Sequence, residues 1–163
     1  MQIWTHVVFG TAVGVLGAKA LGLDPGLVYT VGLAVGTAAP NVDALVEVGR
    51  KRGAAWVGQH GLEERGVTHS AVVAALLLGI AALAGGEVLW GLAVGWMLHI
   101  ALDLWTKDGV QLLAPFSAEW YAAPPRTMLR PGRGGFVEGA LLLLGGLVIL
   151  AVYGPPLVER FVR

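Results

Sequence analysis

The chain has 163 residues, of which 56% are hydrophobic and only 13% are charged, whereas soluble domains carry about 25% charged residues. A mean hydropathy of +0.71 and long apolar runs indicate an integral membrane protein. The formal net charge is zero and gives no reason to expect an acidic or basic partner, and the lack of cysteine excludes disulfides and thiolate metal sites.

Five apolar segments are predicted to be helical, at about residues 4–23, 26–40, 69–85, 87–105 and 136–153. Several are shorter than the ~20 residues that cross a bilayer core of ~30 Å, so flanking residues and kinks must complete the crossing. The first segment lacks the basic start and the cleavage site of a signal peptide, and we expect it to remain as a membrane helix. The brief turns at 21–26 and 84–87 join antiparallel neighbours. The prediction is one all-α domain over residues 1–163, a polytopic bundle of about five transmembrane helices.

The two longer connections, about 41–68 and 106–135, each contain four of the eleven Lys and Arg residues. By the positive-inside rule both connections and the N-terminus are predicted to be cytoplasmic, although Arg160 and Arg163 oppose this orientation mildly. Residues 109–117 are too polar at their ends to span the membrane. We expect this stretch to lie along the membrane surface between the fourth and fifth helices.

Five ionisable side chains from four predicted helices fall at one membrane level, near the predicted cytoplasmic ends. They are His6, Asp43, His69, His99 and Asp103. The spacing of four residues places His99 and Asp103 on one helix face, and ionisable groups in membrane helices usually face the bundle interior and mark function. Asp43 and Asp103 follow the carbonyl ends of helices, where a negative charge is unfavourable unless a cation compensates it.

Nitrogen and oxygen donors of this kind suit Zn²⁺, with Mn²⁺ or Fe²⁺ as alternatives. Five ligands exceed one tetrahedral site, so the sequence predicts one or two divalent ions. Such an ion would activate a bound water as a nucleophile. Thr68 is predicted to cap the third helix, and this helix start, with Arg65 beside it, could hold a phosphate or another oxyanion.

Simpler interpretations stay open for several of these residues. His99 and Asp103 could form a hydrogen-bonded pair that joins helices, and His6 could be an interfacial residue. Ser70 could cap a helix rather than act as a nucleophile. The basic run 50–52 is interpreted as a topology signal, so no nucleic-acid partner is expected. Glu138, near the start of the fifth segment, is expected to serve packing and anchorage.

Four motifs carry a resemblance to a known family: WTHVVFG (4–10), PNVDAL (40–45), ERGVTHS (64–70) and LHIALDLWTKDGVQLLAPFS (98–117). Over residues 1 to about 117 the chain resembles the LexA-regulated, YdjM-like family of inner-membrane predicted metal-dependent hydrolases. That family is described as resembling zinc-dependent phospholipase C and P1-type nucleases, which implies phosphoester hydrolysis. The five residues above match by position, whereas the family often has Asp where this chain has Asn41 and His where it has Glu64.

The sequence therefore favours an inner-membrane hydrolase that cleaves a phosphoester in a lipid or amphiphilic substrate at the cytoplasmic interface. Glu64 is its predicted base and Arg65 its predicted oxyanion contact. The alternative is a metal transporter or sensor that uses the same site, but the outer half offers only Lys19, Asp24 and Glu87 for an ion path. A third hypothesis is a scaffold without stoichiometric metal. The oligomeric state is not predicted.

Overall fold

The computed structural model describes residues 2–43, 65–106, 108–123 and 135–162. Within these ranges the chain forms five helices: α1 (Ile3–Ala20), α2 (Leu27–Ala38), α3 (Ala71–Ala84), α4 (Glu87–Leu104) and α5 (Phe136–Val162). Among the described residues there is no β-strand, and extended pairing is limited to one isolated bridge, between Val110 and Tyr121. The predicted all-α fold is confirmed.

Three helical spans are long and apolar enough to cross a membrane alone: Ile3–Ala20, Glu87–Leu104 and Phe136–Pro156. Helices α2 and α3, with 12 and 14 residues, extend only about 18 and 21 Å, less than a bilayer core. Each is continued at one end by a 3₁₀ turn, Ala39–Asn41 after α2 and Val67–His69 before α3. These two turns carry part of the site described below.

Helices α2 and α4 pack backbone against backbone because glycines remove the side chains between them. A Cβ atom on Gly36 or Gly95 would lie 2.2 or 2.3 Å from a carbonyl oxygen of the facing helix. The same close approach is found at Gly32 and Gly91, where the distances would be 2.4 and 2.2 Å. No residue with a side chain fits at these positions, so the glycines hold the two helices in one register.

Successive helices run in opposite directions, so one end of the bundle collects the starts of α1, α3 and α5 and the ends of α2 and α4. We call it the site end. Far from it, the Thr30 hydroxyl lies 2.5 Å from that of Tyr153 and joins α2 to α5. An exposed ion pair of 3.8 Å between Lys19 and Asp24 lies at the turn after α1. The cytoplasmic orientation of the site end stays a prediction from the charge distribution.

The connection after α4 is attached to the site end through backbone hydrogen bonds. Val110 and Tyr121 exchange two bonds of 2.9 Å, and the Ala71 N–H donates to Leu112 O over 2.8 Å. Val110 is fully buried and joins a small apolar cluster with residues of α3 and α4. The stretch 109–117, expected to lie along the membrane surface, therefore forms turns that pack on the helix ends.

Helix α5 continues beyond the predicted end at residue 153, through Pro155 and Pro156 to Val162. Prolines remove N–H donors and usually mark a helix end in a sequence, but a helix can accommodate them at the cost of lost hydrogen bonds. Leu143, Leu147 and Leu150 on this helix are more than half exposed, which suits a surface that faces lipid.

Candidate metal centre

His99 and Asp103 form one wall of the site, one turn apart on α4. Both side chains are buried, and His99 Nε2 lies 3.5 Å from Asp103 Oδ2. The shared helix face predicted from their spacing is confirmed. A carboxylate buried in an apolar bundle is costly unless it is paired, so its partners decide what the site can hold.

The orientation of the His99 ring is set by a backbone group of α2. His99 Nδ1 lies 2.7 Å from the carbonyl oxygen of Thr37. A carbonyl oxygen can only accept, so Nδ1 carries the proton and donates it. Because Thr37 directly follows Gly36, the close glycine contact between α2 and α4 brings this carbonyl within reach.

His6 approaches the same carboxylate from α1, where it opens a π-helical stretch, His6–Gly10. Its Nδ1 lies 3.2 Å from Gln2 O and its Nε2 lies 3.1 Å from Asp103 Oδ1. The ring stacks on that of His99 with centroids 4.0 Å apart. Single π-helical turns are often found at functional sites, because they redirect side chains that a regular helix would place elsewhere.

His69 completes the group from the 3₁₀ turn before α3. Its Nε2 lies 2.9 Å from His99 Nε2 and 3.5 Å from Asp103 Oδ2. Its Nδ1 lies 2.9 Å from Asp43 Oδ2, on the other side of the ring. Asp43, expected among the metal ligands, is thus placed as the acceptor that orients a histidine, an arrangement that is common behind metal-bound imidazoles.

Two nitrogen lone pairs face each other at the centre of this group. His69 and His99 direct Nδ1 at oxygens that accept, the Asp43 carboxylate and the Thr37 carbonyl, so each ring presents an unprotonated Nε2 in its neutral form. Two lone pairs at 2.9 Å repel unless a cation, either a proton or a metal ion, lies between them. Asp103, a buried carboxylate beside both nitrogens, adds to the demand for positive charge.

The donor geometry fits a divalent metal ion. His6, His99 and Asp103 each offer a ligand atom, all within 4.8 Å of one another, and His69 adds a fourth through its contact with His99. Tetrahedral zinc with bonds of about 2.0–2.1 Å places neighbouring ligand atoms roughly 3.3 Å apart. The distances of 2.9–3.5 Å at Asp103 and between the two Nε2 atoms lie around that value. The structure brings these four side chains together, as the sequence predicts, and their role as metal ligands stays a prediction.

Arg65 reaches the site through carboxylates. Its backbone N–H donates to Asp43 Oδ2 over 2.8 Å, its Nη1 donates to Asp108 Oδ2 over 3.0 Å, and its Nε lies 3.7 Å from Asp103 Oδ2. The backbone of Arg65 has a φ of 65°, an uncommon left-handed conformation for a residue with a side chain. Such strain persists only where surrounding contacts enforce it, and here the bond to Asp43 does so.

Asp43 keeps its negative charge at this place. Burial by itself would raise the pKa of the carboxyl, but hydrogen bonds from His69, Thr68 and the Arg65 backbone hold the pKa below its usual value. The Thr68 hydroxyl contributes a bond of 2.9 Å. A carboxylate that stays ionised is a constant acceptor for His69 Nδ1–H, and it thereby keeps Nε2 available as a ligand.

The start of α3 differs from the prediction. Thr68 was predicted to cap this helix, and that prediction is wrong. The structure places Ser70 at the cap, where its Oγ accepts from Val73 N over 3.3 Å. The 3₁₀ turn Val67–His69 delays the helix start, which leaves the Thr68 side chain free to bond to Asp43.

The family motifs also single out Asn41 and Glu64. Asn41 donates from Nδ2 to Ala38 O over 3.2 Å and so binds the end of α2. Glu64, the predicted base, lies outside the described residues. Sequence reasoning also missed Trp96, whose indole N–H donates 2.8 Å to Thr68 O and fixes the turn that carries His69. An aromatic residue inside an apolar helix gives no signal of such a contact.

Replacing Asp43 with alanine is expected to weaken zinc binding about 10–100-fold, because loss of the acceptor at Nδ1 frees the ring of His69. Competition with a chromophoric chelator measures the affinity. Asp24→Ala, at an exposed carboxylate far from the site, is the matched control and should bind as the wild type does. Equal affinities for Asp43→Ala and the control would show that Asp43 does not orient a ligand.

The family of this chain is identified by comparison with known proteins. The family model described as YdjM inner membrane protein matches residues 1–156 and so extends into α5, beyond the resemblance noted up to residue 117. The Bacillus subtilis (strain 168) protein YfhP, described as an uncharacterized protein, is 31% identical over 137 residues, which cover 75% of this chain and 39% of YfhP. The chain therefore spans about two-fifths of the length of that relative. No solved structure matches the chain.

Proposed function

Since this chain belongs to the YdjM inner membrane protein family and is a multi-pass protein of the inner membrane, we propose that it is a membrane-embedded, metal-dependent hydrolase. The proposed substrate is a phosphoester in a lipid or another amphiphile. The observation that carries the proposal is the pair of facing Nε2 atoms, 2.9 Å apart beside a buried carboxylate, in rings whose Nδ1 protons are already donated elsewhere.

Four side chains would hold the ion: His6, His69, His99 and Asp103. When bound, a zinc-type ion supplies Lewis acidity, which polarises an ester oxygen and activates water at neutral pH. The chain itself provides fixed orientation. His69 and His99 donate from Nδ1 to oxygens of the protein, so neither ring has to turn before it binds the ion, and His6 Nδ1 lies within reach of Gln2 O.

Arg65 is the proposed contact for the negatively charged oxygens of the substrate. Its guanidinium is largely buried, but its partner Asp108 is about three-quarters exposed. An ion pair with one solvated member is weak, so a phosphoryl group can compete with Asp108 for Nη1. Glu64 precedes Arg65 in the chain and is proposed as the base that accepts a proton from water.

A substrate at the level of lipid headgroups is supported by the side chains around the site end. Trp4 at the start of α1 and Trp105 after α4 are more than half exposed. Aromatic residues of this kind accumulate where membrane meets water. A phosphoester held at that level would need little movement along the membrane normal to reach the proposed metal ligands.

Transport through the bundle is the competing function for the same donors. An ion that crosses needs a path away from the site end, and the backbones of α2 and α4 touch at Gly32 and Gly91, farther from that end. This contact leaves no gap between these two helices, which favours a reaction at the site over passage past it.

The test is hydrolysis by zinc-loaded protein in nanodiscs, with phosphatidic acid, phosphatidylglycerol and an isoprenoid diphosphate as substrates. We expect release of phosphate or of the phosphorylated headgroup from at least one of them, and its loss in His99→Ala and after chelation. Zinc flux into proteoliposomes that depends on His99, without any hydrolysis, would overturn the proposal in favour of transport.

A further inference from the structure

Glu138 is a buried carboxylate on α5 that the donor set does not include. Its side chain is only 2% exposed, although it lies in the first turn of a helix whose other side chains largely face outward. It accepts a hydrogen bond of 2.8 Å from the Thr5 hydroxyl and a second bond from the backbone N–H of Gln2. Glu138 thereby connects α5 to the start of α1.

The second bond leads directly to the metal centre. The Gln2 carbonyl oxygen accepts from His6 Nδ1 over 3.2 Å, and His6 Nε2 faces Asp103. Gln2 precedes the first helical residue and has an extended backbone. At a helix start the N–H groups have no partner within the helix, so the first turn of α1 depends on an external acceptor at the Gln2 N–H. Glu138 supplies that acceptor. The Gln2 carbonyl oxygen, which belongs to the next peptide group, is held within that turn by the backbone N–H groups of Thr5 and His6, over 3.1 and 3.4 Å.

We propose that Glu138 is a positioning residue of the metal centre: through the Gln2 N–H it anchors the first turn of α1, in which the Gln2 carbonyl faces His6 Nδ1, and it so keeps His6 Nε2 toward Asp103. The Nδ1 atoms of His69 and His99 are likewise oriented by acceptors, the Asp43 carboxylate and the Thr37 carbonyl, which lie on other elements. His6 differs because its acceptor lies in the first turn of its own helix, and Glu138 anchors that turn from α5. The sequence predicts packing and anchorage for Glu138, and its bond to Thr5 fits that role.

The inference deepens the proposed function, and its consequence for metal affinity rests on that function. Its consequence for the His6 ring does not, because the hydrogen bond from the Gln2 N–H to Glu138 and the contact of His6 Nδ1 with Gln2 O need no metal. The protein contains four histidines, so selective ¹⁵N-histidine labelling gives resolvable ring signals. The His6 signals are assigned by their absence in His6→Ala.

The experiment compares wild-type protein with Glu138→Met and Glu138→Gln in nanodiscs that contain a chelator. Methionine matches the length of Glu138 but cannot accept the bond, whereas the glutamine carbonyl can. We expect the His6 ring signals of Glu138→Gln to match those of the wild type, and those of Glu138→Met to shift because the turn that orients the ring is no longer anchored. Glu138→Ala is the second variant if the methionine variant does not fold.

The zinc affinity provides the second readout. Glu138→Met should weaken zinc binding about 10–100-fold, as loss of an outer partner of a metal ligand does. The same substitution in a His6→Ala background should add less than about twofold, because the effect passes through His6. Tyr153→Phe, which breaks a bond of α5 at the opposite end, is the matched control and should leave the affinity unchanged.

Three outcomes would overturn the proposal. One is a wild-type His6 ring signal in Glu138→Met. Another is an affinity loss in Glu138→Met that persists in full without His6. The third is an equal loss in Thr5→Val, which leaves the Gln2 bond in place and would show that docking of α5 alone matters. A wild-type protein that binds no zinc would contradict the proposed function, while the His6 signals would still decide the role of Glu138.

Discussion

Replacement of His99 by alanine is expected to lower zinc affinity by more than about 100-fold, beyond the range found for outer partners of metal ligands. His99 Nε2 lies next to both His69 Nε2 and Asp103 Oδ2, so its removal opens the centre of the donor group. Asp103→Ala should have an effect of the same size, because this carboxylate lies beside all three histidines.

The bundle should remain folded in His99→Ala. The variant loses one hydrogen bond to Thr37 O, worth about 1 kcal/mol, whereas the glycine contacts between α2 and α4 stay in place. Zinc content after gel filtration, measured by elemental analysis, checks the prediction, with circular dichroism to verify helicity. His60→Ala is the matched control, since His60 is the fourth histidine of the chain and is not among the predicted ligands. Undiminished zinc in both His99→Ala and Asp103→Ala would refute the site.

The substitution Gly36→Ala is expected to lower both the stability of the fold and the zinc affinity of the site. The added Cβ would lie 2.2 Å from a carbonyl oxygen of α4, where ordinary contact begins near 3.4 Å, so α2 must move away. Overpacking of this kind costs about 1–3 kcal/mol, which corresponds to a fall of about 2–12 °C in the unfolding midpoint. The movement also withdraws Thr37 O from His99 Nδ1, so zinc affinity should fall with stability.

Gly17→Ala is the matched control for Gly36→Ala, because a Cβ atom at Gly17 in α1 meets nothing within 4 Å. Replacement of a glycine inside a helix by alanine favours the helix by up to about 1 kcal/mol, so this variant should be as stable as the wild type or more stable. Thermal unfolding in detergent, followed by circular dichroism, compares the two. If both variants unfold at the wild-type temperature, the glycine at position 36 does not hold α2 against α4.

Much of the site could be predicted because its donors are conspicuous in sequence. Ionisable residues such as His6, His99 and Asp103 stand out in apolar segments, and alternation of helix direction was enough to bring them to one end of the bundle. What could not be predicted is which side of each ring faces the ion. Asp43 and Asp103 have the same side chain, and only the tertiary contacts place one behind His69 and the other in front of it.

The sequence also contains no signal for the acceptors that orient the histidine rings. The Thr37 and Gln2 groups that hold His99 and His6 are backbone carbonyls, which every residue has, so side-chain identity does not mark them. Glu138 stands out in the sequence as a charged residue, but its hydrogen-bond partner Gln2 is 136 residues away in the chain, so the sequence does not show the contact. Local rules also misplaced the start of α3, since they cannot tell a 3₁₀ turn from the first turn of an α-helix.

X-ray absorption at the zinc edge of the wild-type protein, after stoichiometric loading in nanodiscs, tests the central claim most directly. The account predicts at least one tightly bound zinc ion per chain, with nitrogen and oxygen ligands at about 2.0–2.1 Å and the outer-shell scattering of several imidazoles. A protein that takes up no stoichiometric zinc, or a bound zinc ion without imidazole scattering, would contradict it.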